Sequence, residues 1–387
     1  MRLWILGLSA AYAVALNGTM VMPAIVLALS KLHGYDEASA TIVASLELTG
    51  IAIYGLFLSK YTKQARKLVT VLGLAMVIAG EAASFYLHAP VALSAARLIT
   101  GLGEGAVFSL VTMNLASLAN AERLWGYLSL IGGSAMGLLL FTASLMPLGT
   151  DSAPIFLMIA GFGVVLAPLF VLINARKTDL PLAPLHSKLS PARMVIALIV
   201  VALVYAVQAA QWALCGYVGE RVGLSTGEIG FYLALSSLLG FVGAVVPSVT
   251  TDKAKRLPYV LVGFVIMALS IYFLFHIFTT PVFVASQLFV NIGFYIVTPF
   301  LTGILTENDP DGSVMARTLV IAVVGGAVGT GLAGPIFASA GASVFAWSAL
   351  LPLGIAAIGA ALIFGHLHRG LPGELAEIFD ESEALPD

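Results

Sequence analysis

The feature that most constrains this sequence is a succession of apolar segments, each about as long as a bilayer is thick. A helix that crosses a bilayer needs about 20 mostly apolar residues, and such segments follow one another from residue 3 to residue 367. Of the 387 residues, 60% are hydrophobic and 10% are charged, whereas soluble domains carry about 25% charged residues. Because so few charges cannot cover a surface that faces water, most of this surface must face lipid.

Twelve segments can be counted between the polar breaks. They lie near residues 3–29, 38–59, 67–88, 91–117, 124–146, 153–174, 193–218, 228–250, 257–279, 282–305, 314–339 and 342–367. The longest connection follows the sixth segment and is rich in proline. We therefore predict an all-α membrane protein of twelve transmembrane helices in two pseudo-symmetric six-helix bundles. The bundles span residues 1–175 and 193–368, with a cytoplasmic linker at 176–192 and an acidic cytoplasmic tail at 369–387.

The basic residues predict the orientation of the chain in the membrane. With both termini in the cytoplasm, fifteen of the eighteen Lys and Arg residues fall on the cytoplasmic side, Lys31 and Arg221 fall outside, and Arg97 falls within a span. Basic loop residues favour the cytoplasmic side, and one missed helix would invert every later loop. The short loops fit a bacterial inner (plasma) membrane and leave a eukaryotic membrane open.

An internal repeat relates the two halves at a single ungapped offset of 190 residues. The aligned pairs include Gly50 with Gly240, Lys63 with Lys253, Arg66 with Arg256, Gly73 with Gly263, Arg97 with Gln287 and Gly103 with Gly293. Basic loops and predicted helix ends therefore coincide as well as glycines. Transporter folds are commonly built from such repeats, with the substrate site near the bilayer midplane between them.

Two motifs give the repeat a family resemblance. The loop after the second segment reads Gly55-Leu56-Phe57-Leu58-Ser59-Lys60 followed by further basic residues, and the fourth segment carries Arg97-x-x-x-Gly101-x-Gly103. With these motifs the chain resembles the major facilitator superfamily over nearly its whole length. The first loop lacks the family's usual Asp, which the second copy keeps. The resemblance implies a secondary transporter whose conformational gating loops contain Lys60, Lys63, Arg66, Asp252, Lys253 and Arg256.

Four ionisable residues fall inside the predicted spans, all in the first half: Glu47, Glu81, Arg97 and Glu104. A charge at the bilayer centre costs about 2.5–3.5 kcal/mol on insertion scales, so each is a functional candidate. At about 1.5 Å per residue, the first three lie roughly 9–14 Å below the outer surface, and Glu104 shares a helix face with Arg97.

These four residues are the predicted proton-coupling site. An arginine that approaches or leaves a carboxylate changes its affinity for a proton, which favours coupling through Glu47 or Glu104. The alternative is an Arg–Glu pair that only holds helices together. Glu81 is also open to a structural or near-interface role, because the resemblance places the third helix at the periphery.

Polar and aromatic residues within the spans form the predicted substrate site. They are Asn17 in the first helix and Tyr205, Gln208, Gln211, Trp212, Gln287, Asn291 and Tyr295 in the second half. Amides and rings suit a neutral, amphipathic or aromatic solute, whereas Arg97 could instead bind a substrate carboxylate. Some of the amides could serve only to bond neighbouring helices.

Together these patterns predict a proton-coupled transporter of a small organic solute that works by alternating access. Its partners would be the solute, protons and the lipid bilayer, and we expect a monomer. A net charge of −2 and the single Cys215 give no basis for nucleic acid, a cysteine metal site or a disulfide. No phosphate-binding loop or hydrolase motif points to a cofactor or an enzyme.

Two other functions remain open on the sequence. One is a proton-driven drug or metabolite efflux antiporter, although the glycine-rich run from Gly132 to Gly137 lacks the Gly-Pro pair typical of drug antiporters. The other is a membrane sensor or assembly factor that does not transport. The substrate, the direction of transport, the coupling ion and the titrating glutamate are not fixed by these patterns.

Overall fold

The computed structural model describes residues 3–116, 121–145, 154–173, 189–250, 256–307 and 313–369, and these residues are helical with short connections. The helices are α1 (Leu3–Ala15), α2 (Asn17–His33), α3 (Glu37–Ile53), α4 (Ser59–Gln64), α5 (Arg66–Tyr86), α6 (Pro90–Ala116), α7 (Ala121–Ser144), α8 (Pro154–Leu166), α9 (Pro191–Arg221), α10 (Thr226–Gly240), α11 (Val245–Val249), α12 (Arg256–His276), α13 (Thr280–Glu307) and α14 (Ser313–Arg369). A π turn (Tyr54–Leu58) continues α3, and 3-10 turns continue α8 (Ala167–Leu172) and α10 (Phe241–Ala244). Most of the predicted linker and nearly all of the acidic tail lie outside the described residues.

Within the described ranges, ten helical stretches are long and apolar enough to cross a membrane, and Leu130–Ala143 is a shorter apolar helix. The prediction of an all-α membrane protein is confirmed. The last stretch, Arg317–Gly365, has 49 residues, which at about 1.5 Å each is more than twice the thickness of a bilayer core. Gly341 interrupts it with φ 81° and ψ 175°. This conformation suits glycine, and it falls at the break predicted between residues 339 and 342.

The outer surface of α14 shows what the apolar helices face. Leu351, Ile355, Ile358 and Leu362 recur at helical spacing, and each is between 52% and 69% exposed. A continuous apolar stripe of this kind is rare on the surface of a soluble monomer and marks a membrane or partner surface. In this membrane protein the stripe is the surface that faces lipid.

The internal repeat is also present in the packing of the helices. α5 crosses α6 where Gly73 and Gly103 face each other, and α12 crosses α13 where Gly263 and Gly293 do the same. A Cβ added at Gly103 would lie 2.6 Å from the Gly73 carbonyl oxygen, and one at Gly293 would lie 2.8 Å from that of Gly263. Small residues permit this close approach of backbones. Residues 190 positions apart thus make equivalent contacts.

The two halves of the chain meet along several helices. α3 packs along α14, α2 against α9, and α7 against α10. The backbone N–H of Gly334 on α14 donates a hydrogen bond to Thr41 Oγ1 on α3 at 3.1 Å. The predicted charged residues lie inside the first half, and the predicted amides and rings of the second half lie on α9 and α13, beside the contacts of α9 with α2 and of α10 with α7.

Candidate functional site

Arg97 on α6 is the centre of a buried charged cluster. Its guanidinium forms an ion pair with Glu47 on α3 and a second one, at 2.8 Å, with Glu81 on α5. None of the three side chains has any exposed surface. The ring of Phe156 on α8 lies over the guanidinium, with 5.2 Å between the guanidinium carbon and the ring centroid. The cluster therefore joins four helices in the core of the first half, and Glu81 is a central member of it, not a peripheral one.

Glycines allow the helices to bring these charges together. α3 approaches α6 so closely that a Cβ at Gly101 would overlap the Glu47 carbonyl oxygen. Gly50 makes the reciprocal approach, since a Cβ there would lie 2.5 Å from the carbonyl oxygen of Leu98. On the other side, Gly18 of α2 lies directly against the Glu47 carboxyl, so any side chain at position 18 would displace that carboxyl.

Glu104, two turns after Arg97 on α6, adds a third carboxyl to the cluster. It has no exposed surface, and neither of its carboxyl oxygens has a hydrogen-bond donor among the described residues. It lies on α6 between the close contacts of Gly101 with Glu47 and of Gly105 with Ile51, and its carboxyl is therefore a neighbour of the Glu47 carboxyl. Full ionisation would leave two uncompensated negative charges in the core, which desolvation strongly opposes. The geometry can therefore hold an exchangeable proton.

Asn17 begins α2 immediately beside this cluster. The preceding residue, Leu16, has φ −129° and ψ 13°, so the helical path is interrupted between α1 and α2. The Asn17 side chain is fully buried, and both of its amide atoms lack a hydrogen-bond partner in the described part of the chain. The next residue, Gly18, touches the Glu47 carboxyl, so Asn17 lies one residue before the contact of α2 with the charged cluster.

The amides predicted in the second half form a ladder between α9 and α13. Gln208 Nε2 donates to Asn291 Oδ1 at 3.0 Å, and Gln287 Nε2 donates to Gln211 Oε1 at 3.4 Å. Asn291 Nδ2 in turn donates to the Gln287 carbonyl oxygen at 2.9 Å. The interhelical bonding that the sequence left as an alternative is thus present. It does not satisfy the amides, because Gln208 Oε1, Gln211 Nε2 and Gln287 Oε1 have no partner among the described residues.

Aromatic rings flank this amide ladder. Tyr205 packs edge-on against Phe294, with ring centroids 5.2 Å apart, and Tyr295 packs against Phe241 at 4.5 Å. From the first half, α7 approaches Phe241 so closely that a Cβ added at Gly133 would lie 3.2 Å from Phe241 Cζ. The rings therefore lie at the contact between the two halves, where a repeat-built transporter is expected to bind its solute.

Polar contacts between α2 and α9 also join the two halves. The Trp212 indole N–H donates to the Thr19 carbonyl oxygen at 3.1 Å. Farther along these helices, Lys31 of α2 forms an ion pair with Glu220 of α9. The Arg221 guanidinium carbon lies 4.5 Å from the Phe337 ring centroid on α14. Trp212, predicted as a substrate residue, therefore also bonds one half to the other.

The predicted gating residues are described only in part. The Lys60 ammonium lies 5.1 Å from the Tyr61 ring centroid, and Arg66 donates to Asn114 Oδ1 at 2.8 Å, which ties α5 to α6. Arg256 begins α12. The Lys63 side chain, together with residues Asp252 and Lys253, lies outside the described part. Their gating role stays a prediction.

Several neutral residues that shape both clusters were missed by sequence reasoning. They are Gly18, Phe156 and Phe241. A ring or a glycine in an apolar helix is common, so composition does not single these residues out. One signal was available, since the Asn17-Gly18 dipeptide is of a type that marks turns, and here it follows the interruption between α1 and α2.

Comparison with known proteins identifies the family. The model of the Major Facilitator Superfamily matches residues 7–330. The chain belongs to the major facilitator superfamily. This confirms the resemblance drawn from the basic loop and the Arg97-x-x-x-Gly101-x-Gly103 motif. Membership of this family indicates that this facilitator is a membrane-embedded secondary transporter rather than an enzyme.

Two solved transporters share the fold of this facilitator. One is the human organic anion transporter MFSD10 (TETRAN), with a TM-score of 0.65, 15% identity, and coverage of 93% of this chain and 99% of that one. The other is a bacterial homolog of the human lysosomal transporter Spinster, in an inward-facing and unoccupied conformation, with a TM-score of 0.67, 13% identity, and coverage of 93% and 95%. No curated protein matches the sequence significantly. Identities this low establish the fold and leave the solute open.

Proposed function

We propose that this facilitator couples the movement of a small organic solute to that of a proton, and that Glu104 and Glu47 hold the proton. One observation carries the proposal: Glu104 is fully buried, has no donor among the described residues, and lies against a carboxyl that is already paired with Arg97. An Arg–Glu pair that only joined helices would need no third carboxyl, since an uncompensated buried charge destabilises a fold.

The coupling of solute movement to proton movement would depend on the distance between the Arg97 guanidinium and the carboxyls around it. With Arg97 held by Glu47 and Glu81, a proton on Glu104 removes one of the two excess negative charges. A movement of α6 against α3 would change the contacts of the guanidinium with the carboxyls. A carboxylate that loses its cation in a buried site binds a proton more tightly. The cluster would therefore take up a proton in one conformation and release it in the other.

The conformational change would be alternating access between the two halves. The hydrogen bond from Trp212 to Thr19 and the ion pair of Lys31 with Glu220 both hold α2 against α9. In the predicted orientation this contact lies on the outer side. A closed outer side is one of the two states that alternating access requires, and opening it would break these polar contacts.

We also propose twelve membrane crossings with both termini in the cytoplasm. The ten long apolar stretches, the shorter Leu130–Ala143 helix and the division of Arg317–Gly365 at Gly341 support this number. The crossings would form two six-helix bundles, residues 1–175 and 193–368. The equivalent glycine crossings of α5 with α6 and of α12 with α13 support that division. We propose a bacterial inner membrane location and a monomer on the sequence arguments given above.

The proton site can be tested without knowing the solute. Infrared spectroscopy detects the C=O stretch of a protonated carboxyl, and we expect this band in purified wild type at neutral pH. Glu104→Gln keeps the shape of the side chain but cannot release a proton, so it should remove the band. Glu37→Gln, a matched change at the half-buried start of the same α3 helix that carries Glu47, should leave it in place.

The transport arm uses the same variants in proteoliposomes that contain a pH-sensitive dye. A panel of aromatic acids, aromatic amines and sugars is added under an imposed pH gradient. We expect one class to move protons in wild type and Glu37→Gln, with at least a tenfold loss in Glu104→Gln. A band and a proton flux that both survive Glu104→Gln would refute the proposal. The direction of proton flow relative to the solute distinguishes symport from efflux by antiport.

A further inference from the structure

We propose that the solute of this facilitator is an organic cation that donates hydrogen bonds, such as an aromatic ammonium, held by the Gln208 amide oxygen and the rings of Tyr205 and Tyr295. The inference rests on the proposed transport function and adds the chemical class of the solute. That class differs from the organic anions named for one of the two structural relatives.

The orientation of Gln208 follows from a backbone group. The Gln287 carbonyl oxygen can only accept, so the atom of Asn291 that lies 2.9 Å from it must be the donor Nδ2. Asn291 Oδ1 therefore points at Gln208, and the atom of Gln208 at 3.0 Å from it must be Nε2. This leaves Gln208 Oε1 as a buried acceptor with no donor among the described residues.

The second amide pair adds to this set of acceptors. Gln211 and Gln287 have no exposed surface, and the single bond between them leaves Gln287 Oε1 and Gln211 Nε2 without partners among the described residues. Two acceptors and one donor are then unsatisfied on the ladder. Leaving buried polar groups unpaired is unfavourable, and acceptors outnumber donors in this set, so a solute that donates two hydrogen bonds would satisfy most of it.

The rings beside Gln208 suit a cation. Tyr205 and Tyr295 pack with Phe294 and Phe241, and Phe241 lies against Gly133 of α7 in the first half. The face of an aromatic ring attracts a cation within about 6 Å of its centroid, and the attraction grows when water is excluded. An ammonium group bound to Gln208 would thus carry its aromatic part among rings that can stack on it.

The alternative to a cationic solute is one that carries a carboxylate, and the charges in the described spans disfavour it. Arg97 is the one fully buried Lys or Arg side chain in the described ranges, and Glu47 and Glu81 already bind it beneath the Phe156 ring. Its Nε has no acceptor among the residues that the structure describes, but an anion that reached it would join three carboxyls. Such a site repels an anion and attracts a cation.

The test compares four ligands that share a phenylethyl body: 2-phenylethylammonium, its N,N,N-trimethyl analogue, 2-phenylethanol and 3-phenylpropanoate. Binding to purified wild type is measured by calorimetry at neutral pH. We expect the ammonium to bind tightest, the trimethyl cation next, the alcohol more weakly, and the carboxylate below detection. The first two separate hydrogen-bond donation from charge, because the trimethyl cation has no N–H.

Variants locate the binding site. Gln208→Met removes the acceptor at nearly constant volume and should weaken ammonium binding about tenfold, as expected for a hydrogen bond to a charged group. It should change trimethyl binding less than twofold. Tyr295→Leu should weaken both cations about fivefold through the lost ring. Gln64→Met, at an exposed position on α4, is the matched control and should change neither.

The inference is overturned if the carboxylate binds more tightly than the ammonium, if no member of the series binds, or if Gln208→Met weakens binding of the ammonium and of the trimethyl cation equally. These failures are distinct from failure of the proposed function. Selective ammonium binding without proton movement in vesicles would keep the solute class and remove the coupling. Proton movement driven by the carboxylate, lost in Glu104→Gln, would keep the coupling and remove the solute class.

Discussion

The two halves of this facilitator share a set of glycine crossings but place different chemistry around them. Under the offset of 190 residues, Glu47, Glu81, Arg97 and Glu104 align with Ser237, Ile271, Gln287 and Phe294. The crossing of α5 with α6 and that of α12 with α13 are nevertheless equivalent down to the facing glycines. The scaffold thus packs without charges in the second half. The charges of the first half, which cost a few kcal/mol each in a bilayer, are therefore not needed to build the helix crossings.

The largest effect should come from making the first half resemble the second at Arg97. Arg97→Gln introduces the residue found at position 287 and leaves Glu47 and Glu81 as buried carboxylates without a cation. Breaking one side of a buried ion pair costs roughly 3–5 kcal/mol. Unfolding of the purified protein in detergent, followed by temperature or denaturant, measures the loss.

The matched control exchanges the ion-paired residues between the halves. Arg97→Gln combined with Glu47→Ser and Glu81→Ile copies the second half at three of the four aligned positions and leaves Glu104 unchanged. Replacing buried ion pairs by well-packed uncharged residues is often neutral or stabilising, so the triple variant should recover at least half of the lost stability. A single Arg97→Gln that costs less than about 1 kcal/mol would contradict the view that the carboxylates depend on this arginine.

An intermediate effect should follow from filling the space over Glu47. A Cβ at Gly18 would overlap the Glu47 carboxyl, so Gly18→Ala should turn that carboxyl away from Arg97. Overpacking of a core costs typically about 1–3 kcal/mol, and we expect a loss in this range together with a shifted pH dependence of transport. Gly161→Ala on α8, where an added Cβ meets no atom within 4 Å, should be neutral or slightly stabilising. Equal effects of the two substitutions would refute the role assigned to Gly18.

The smallest effect should come from the residue that aligns with Arg97 in the second half. Gln287→Leu removes the 3.4 Å bond to Gln211, a long and neutral hydrogen bond. Its loss should cost about 1 kcal/mol in the same unfolding assay. If Gln287→Leu lowered the free energy of unfolding as much as Arg97→Gln does, the amide ladder would stabilise the second half as strongly as the ion pairs stabilise the first. The two halves would then not differ in this respect.

How far the site could be predicted differs from residue to residue. Depth along a helix follows from a fixed rise per residue, and it correctly brought Glu47, Glu81 and Arg97 to one level. For Glu81 the sequence left a structural or near-interface role open. The structure shows it fully buried and ion-paired with Arg97, a contact that its own helix does not reveal because the partner lies on another helix. Gln208 and Gln211 were grouped by helix face, but each bonds to a residue of α13 about eighty positions later.

The sequence by itself determined the properties that depend on local composition. These are the apolar helices, the break at Gly341, the family motif, the repeat and the identity of the buried charged residues. The free energy of transferring a segment from water to lipid depends on that segment's own residues, so one amino-acid sequence is enough to predict which segments span the membrane.

Only the tertiary structure decided which side chains meet. The contact of Glu104 with Glu47, the carboxyl seated on Gly18, and the amide oxygen of Gln208 left without a donor all depend on how each helix is rotated about its axis and how closely it approaches the next. These quantities are set by side-chain packing between helices far apart in the chain. No local periodicity specifies them.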